Sequence, residues 1–203
     1  YLNLPTETPK VDVDAFNGWY LALLGNVYQV SSWRRPFDLP ISFEAIGVGL
    51  FGLFALGMTG LIWRQSARTG EYADPYMAAA VLSLGMFMLL TQMHERYLFP
   101  VIPLLLLSAV EQDAESDAAW GAQKPWPIAW VYLVLSLTFF FNLISTASFV
   151  PSLWISIVVP QPLSPLVVVL KALSFVAAIV NVLVFGWLVR DAIARERVNA
   201  TTR

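Results

Sequence analysis

The chain has 203 residues, of which 58% are hydrophobic and only 13% charged, with a formal net charge of −2 and a mean hydropathy of +0.65. Soluble domains carry about 25% charged residues, so this composition belongs to the membrane class, and a charge balance near zero supplies no basic field for nucleic acid. The absence of cysteine excludes disulfides, thiolate catalysis and sulfur-ligated metals, and a single histidine, His94, excludes a multi-histidine metal site within the chain.

The opening YLNLPTETPKVDVD (residues 1–14) is polar and starts at Tyr1. It has no cationic region ahead of an apolar run, so it does not read as a signal peptide. The chain is expected to be processed or to belong to something longer. Residues 14–30, DAFNGWYLALLGNVYQV, are amphipathic and rich in aromatics, but too short and polar to span a bilayer. They are expected to lie on the outer membrane surface, with Asp14 as a helix cap and Trp19, Tyr20, Tyr28 and Trp33 at headgroup depth.

A spanning helix needs about 20 mostly apolar residues. Residues 41–63, 127–149 and 166–189 meet that length, with Glu44 and Lys171 near the ends of the first and third. Two shorter runs, residues 76–92 and 97–110, flank MHERYLFP (residues 93–100). Pro100 and Pro103 suit a helix start better than a helix middle. The reading is therefore two shorter spans joined tightly around His94, Glu95 and Arg96; a single kinked helix is the alternative. Residues 150–165, punctuated by prolines, are expected to form another surface-lying connector. Trp120, Trp126 and Trp130 would make an aromatic belt at the start of the 127–149 helix. Gly47, Gly49, Gly52 and Gly57 suggest close helix packing, and Asn142 and Asn181 suggest hydrogen bonds between helices.

The expected fold is an all-α membrane protein with about five transmembrane helices and outer-face interfacial segments. It divides into an interfacial segment (1–40), a helical bundle (41–189) and a basic tail (190–203). With alternating loops, Arg64, Arg68, Lys124, Arg190, Arg195, Arg197 and Arg203 fall on one side, and Lys10, Arg34, Arg35 and Arg96 on the other. The more cationic side is expected to be cytoplasmic, which puts the His94 turn on the outer face of a multi-pass protein. The acidic run Glu111, Asp113, Glu115 and Asp117 then falls in a cytoplasmic loop.

Charge at membrane depth is costly and tends to face a bundle interior or a cavity. His94, Glu95 and Arg96 form the strongest such group. On a continuous helix they would point about 100° apart, so they can share a ligand only where the helix ends. Arg96 offers a planar fork to phosphate, and a histidine can donate to the same oxygens or take a proton. The plainer reading is interfacial anchoring: Arg96 snorkels, Tyr97 marks the headgroups, and His94 and Glu95 cap helix ends. Asp12 and Asp14 could act as base or metal ligand, although capping is the simpler role for Asp14. Arg34 and Arg35 suit lipid headgroups. No metal site is read from these residues, and no cofactor.

DAFNGWYLALLG (residues 14–25) and QMHERYLFPVIPLLLL (residues 92–107) together resemble the later part of bacterial GT-C-type membrane glycosyltransferases, the mannosyltransferase-like group that uses polyprenol-phosphate sugars. There an Asn-Ala-Phe-Asn-hydrophobic-Trp segment precedes a transmembrane helix, and a Met-His-Glu-Arg-Tyr segment follows two helices later. The resemblance implies a lipid-phosphate sugar donor and inverting transfer on the outer face of a bacterial inner membrane. His94 and Arg96 would contact the leaving lipid phosphate, supported by Glu95, Tyr97, Asp14 and Asn17. Asp14 stands where the family has Asn, and Gly18 where it has a large apolar residue. The family's base, a carboxylate in its first outer loop, lies far upstream of these segments and is absent from this sequence. The chain is thus expected to be the C-terminal part of a hexosyltransferase, inactive alone. The alternative is a non-catalytic scaffold subunit of a larger membrane complex, photosynthetic or respiratory, derived from such an enzyme. Its partners would be membrane lipid, lipid-linked sugar, other transmembrane subunits or the upstream half.

Overall fold

A computed structural model describes residues 15–25, 30–36, 39–69, 74–118, 126–158 and 165–201. Within these the chain is all helical. A one-turn helix, α1 (Gly18–Ala22), is followed by α2 (Phe43–Thr69), α3 (Pro75–Leu89), a 3₁₀ turn (Glu95–Leu98), α4 (Val101–Ala118), α5 (Trp126–Val158) and α6 (Pro165–Thr201).

Two helices, α2 and α6, contain stretches long and apolar enough to cross a membrane, Phe43–Arg68 and Val168–Ala194, and both are largely unburied within the chain. Leu53 and Leu56 on α2 and Leu183 on α6 lie at 72%, 74% and 66% exposure. Side chains this apolar, bare on successive turns, need a covering other than water. Shorter apolar stretches run over Pro75–Leu89 and Ile128–Ile144.

The centre of the bundle is α3. Asp74 caps it, accepting from the Tyr76 and Met77 amides at 2.9 Å each, and Pro75 occupies the first turn, where its missing N–H costs nothing. Ala80, Val81, Leu84, Phe87 and Met88 are buried almost completely. They meet Met58 of α2, Leu98, Val101 and Leu105 around the start of α4, Val131 and Leu135 of α5, and Leu188 of α6. The bare glycine surface at Gly85 receives the Phe54 ring, and a Cβ there would collide with it. Phe54 in turn meets Phe185 edge-on at 5.2 Å.

The C-terminal half of α2, the start of α3 and the C-terminal half of α6 share one end, where Gln65, Asp74 and Asp191 line a small cavity. The opposite end holds the start of α2, the end of α3, α1 and the His94 turn. Helix α4 begins at Val101 with Pro103 in its first turn. The prolines therefore start a helix, as their position suggests, and the non-helical residues 91–94 with the 3₁₀ turn after them separate α3 from α4, which removes the single kinked helix.

Several expectations change. Phe16, Trp19 and Tyr20 are buried and do not lie on a surface, because small side chains on α6 leave room for them. Phe16 and Tyr20 settle over Ala177 and Ala178, in a run of ring contacts from Phe141 to Phe16 (5.9 Å), Tyr20 (5.1 Å) and Phe175 (5.1 Å). Trp33, by contrast, is exposed as expected. Residues 111–118 continue α4 and are not a loop, and α5 runs on through Pro151 to Val158, so the connector is shorter than residues 150–165. Of the four glycines expected to pack closely, only Gly47 does: a Cβ there would lie 2.9 Å from the Leu89 carbonyl oxygen, whereas Gly49, Gly52 and Gly57 face open space. Asp12, Asp14, Tyr28, Trp120 and Lys124 lie outside the described residues.

Gly85→Ala is expected to lower thermal stability in detergent by about 1–3 kcal/mol through overpacking against Phe54. Adding Phe54→Ala should recover part of that loss. Gly52→Ala, with nothing to meet, should leave the midpoint unchanged or raise it.

Candidate functional site

The site forms where α3 stops. Its 15 residues span about 22 Å at 1.5 Å per residue; the Leu90 amide closes the last helical hydrogen bond to the Met86 carbonyl at 3.1 Å, and the chain then turns through residues 91–94. The last carbonyls of a helix have no partner of their own. Here the indole N–H of Trp19 donates to the Leu89 carbonyl at 2.8 Å, across 70 residues of sequence. Gly18 lies so close to the Met88 carbonyl that a Cβ would stand 2.9 Å from its oxygen. This backbone contact is the reason a larger side chain does not fit at Gly18.

Asn17 makes the short α1 possible. It is fully buried, and its Oδ1 accepts from the Trp19 amide (2.9 Å) and the Tyr20 amide (3.2 Å). The helix cap is therefore Asn17, three residues after the expected Asp14. Its Nδ2 is buried without a hydrogen-bond partner among the described residues. The next link is Asn181 of α6, whose Nδ2 donates to the Phe16 carbonyl (3.0 Å) while its Oδ1 accepts from the Thr138 hydroxyl of α5 (2.7 Å). Asn181 thus bonds between helices as expected, and it also fixes α1. Asn142 is likewise buried.

On the other side, Gln92 sits at φ 60°, in the left-handed region uncommon for a residue with a side chain. Its Nε2 donates to Ser32 Oγ at 3.2 Å. The Ser32 and Arg34 carbonyls accept from the Glu44 and Phe43 amides at the start of α2. Residues 31–35 and the start of α2 are thereby tied to the end of α3.

His94 is extended, at φ −103° and ψ 158°, and opens the 3₁₀ turn. In a 3₁₀ helix, residues three apart eclipse. Leu98 points into the core at 0% exposure, and Glu95, one turn earlier, turns the same way: its Oε2 is shielded and has no hydrogen-bond partner among the described residues. Arg96 and Tyr97 are left facing out. The Tyr97 ring lies near both neighbours, with its centroid 5.9 Å from that of His94 and 6.0 Å from the Arg96 guanidinium. His94 and Arg96 thus both approach one aromatic ring while Glu95 turns toward the core, so the helix break brings two of the three polar side chains to the same ring.

The structure joins the Asn17 and His94 segments at one end of the bundle. It leaves Lys171 exposed on α6. Among the described residues no cluster of metal-ligating side chains occurs. The tethers Trp19–Leu89 and Gln92–Ser32 had no sequence signal beyond an aromatic and a glutamine near the ends of apolar runs.

No protein-family model, curated protein or solved structure matches the chain.

Asn181→Ala should cost about 1–3 kcal/mol of stability, because it leaves the buried Phe16 carbonyl without its donor, while the Thr138 hydroxyl keeps the Leu135 carbonyl as acceptor. Trp19→Phe, which drops only the indole donor, should cost about 1 kcal/mol. Unfolding midpoints in mixed detergent micelles measure both, and wild-type midpoints in both variants would contradict the tethering role.

Proposed function

We propose that these helices are the C-terminal transmembrane part of a GT-C-like glycosyltransferase in a bacterial inner membrane, with about five spans and the His94 turn on the outer face. The single observation that supports the reading best is the union of the two resembling segments. Phe16–Asn17–Gly18–Trp19 and His94–Glu95–Arg96–Tyr97 are far apart in sequence, yet Trp19 and Gly18 seat directly on the end of α3 that leads into His94. Two segments that resemble parts of one active site and also meet in space are a stronger signal than either alone. Orphaned polar atoms add to it. The Asn17 Nδ2 donor and the Glu95 Oε2 acceptor belong to these two segments, and buried groups without partners are rare unless they serve a ligand or water.

In this reading a polyprenol-phosphate sugar enters from the bilayer. His94 and Arg96, both close to the Tyr97 ring, offer N–H donors to the phosphate as it departs with the extra negative charge. Donors fixed where charge develops lower the barrier most, and a surrounding free of water makes them stronger. Asn17, which caps α1, is a positioning residue, and Glu95 turns toward the core behind the corner. The base that activates the acceptor is supplied from the part of the protein that corresponds to the family's first outer loop.

A second reading, a non-catalytic subunit of a larger membrane complex, draws on the unoccupied face of α2. Gly49, Gly52, Gly57 and Gly60 have no neighbour within 4 Å of an added Cβ, and small residues at such positions admit a second helix. Extraction in native-lipid nanodiscs separates the two readings: the subunit reading requires a particle containing further chains.

With the full-length protein and a polyprenol-phosphate hexose, Arg96→Ala and His94→Ala should each reduce kcat by about 10²–10³, read as released polyprenol phosphate. Arg96→Lys should retain part of the rate. Unchanged turnover in both alanine variants would overturn the phosphate role.

A further inference from the structure

A groove of about 470 Å³ opens between α1, residues 30–36, Leu39 and the start of α2. We infer that it binds one anionic phospholipid, with the headgroup phosphate on Arg34 and Arg35 and an acyl chain along a wall formed by Trp19, Leu23, Phe43 and Ile46. The volume falls within the roughly 300–1,000 Å³ of small-molecule sites.

The two halves of the groove ask for different things, and one amphiphile meets both. Its wall is mainly apolar: Trp19 and Phe43 meet edge-on at 5.7 Å and 87°, and Leu23 and Ile46 are partly open to the groove. A free phosphate makes no use of that wall. The guanidinium groups of Arg34 and Arg35 are exposed and form no ion pair with a described carboxylate, Glu44 in the first turn of α2 included. A zwitterionic headgroup carries its own cation and competes poorly for them, whereas an anionic phosphodiester accepts N–H donors from both. The helix N-terminus does not supply the anion site, because the Phe43 and Glu44 amides already donate to the Arg34 and Ser32 carbonyls and Ala45 donates to Ser42 Oγ. That leaves the charge to the two side chains.

The ring of Trp19 faces this groove while its indole N–H holds the Leu89 carbonyl. A lipid seated here therefore packs against the tether that positions the His94 turn. The inference rests on membrane placement and not on transferase activity, so either can fail without the other.

The test is native mass spectrometry of the delipidated full chain titrated with phosphatidylglycerol or phosphatidylcholine of identical acyl chains. One phosphatidylglycerol should bind about tenfold more tightly than phosphatidylcholine, as expected for hydrogen bonds to a charged group. Arg34→Gln with Arg35→Gln should bring that ratio to about one. Ile46→Trp, which fills the wall and leaves the charge untouched, should lower phosphatidylglycerol retention with both arginines present. His94→Ala should leave it unchanged. Equal binding of the two lipids by the wild type, a preference that survives the double glutamine variant, or displacement by millimolar inorganic phosphate would overturn the proposal. Circular dichroism at equal protein concentration verifies that each variant is folded.

Discussion

The bond from the Trp19 indole to the Leu89 carbonyl is the interaction on which this architecture turns. A helix as short as α3 ends inside apolar surroundings, and its terminal carbonyls must be satisfied there. In lipid the constraint tightens, since irregular backbone is tolerated at membrane depth only where protein or a polar cavity covers it. Here α1 and residues 31–35 provide the cover. Gly18 and Gly47 let two backbones approach the end of α3, Trp19 supplies a donor, and Ser32 receives the Gln92 amide. The His94 turn is held in place by this local solution to a general problem.

The polar interior follows the same logic. Asn17, Asn181 and Thr138 stand among leucines and phenylalanines, where an unpaired amide is expensive. Asn17 and Asn181 bond to backbone atoms of the segment that α6 and α5 must hold, so their cost is offset by positioning. Ala177 and Ala178 make the space, and the aromatic run from Phe141 to Phe175 fills it. Segment 15–25 is thus a wedge in the bundle, and its two faces serve different ends. One supports the His94 turn; the other, through Trp19, lines the groove below Arg34 and Arg35.

The arrangement also sorts charge from support at the turn. A 3₁₀ geometry eclipses Glu95 with Leu98 and turns both inward, leaving Arg96 and Tyr97 outside with His94 against the same ring. A continuous α-helix would have spread the three charged residues around its circumference. The proposed phosphate corner therefore depends on the helix break, and the break depends on the tethers behind it.

Helix content and the start of α4 beside Pro100 and Pro103 were legible in the sequence. Apolar length and proline placement are local properties, and they decide where helices run whatever lies next to them. The fate of residues 14–30 was not legible. Their aromatic, amphipathic pattern suits a membrane surface equally well, and only the alanines of α6 and the open carbonyl of Leu89 draw Phe16, Trp19 and Tyr20 inside. The same holds for the glycines of α2, where sequence marks four small residues alike and only the neighbours distinguish Gly47, pressed on backbone, from Gly52, facing open space. Burial and pairing are relations between distant segments, so the sequence by itself determined the helical character and the start of α4 beside its prolines, and tertiary packing alone decided which polar groups meet at the His94 turn.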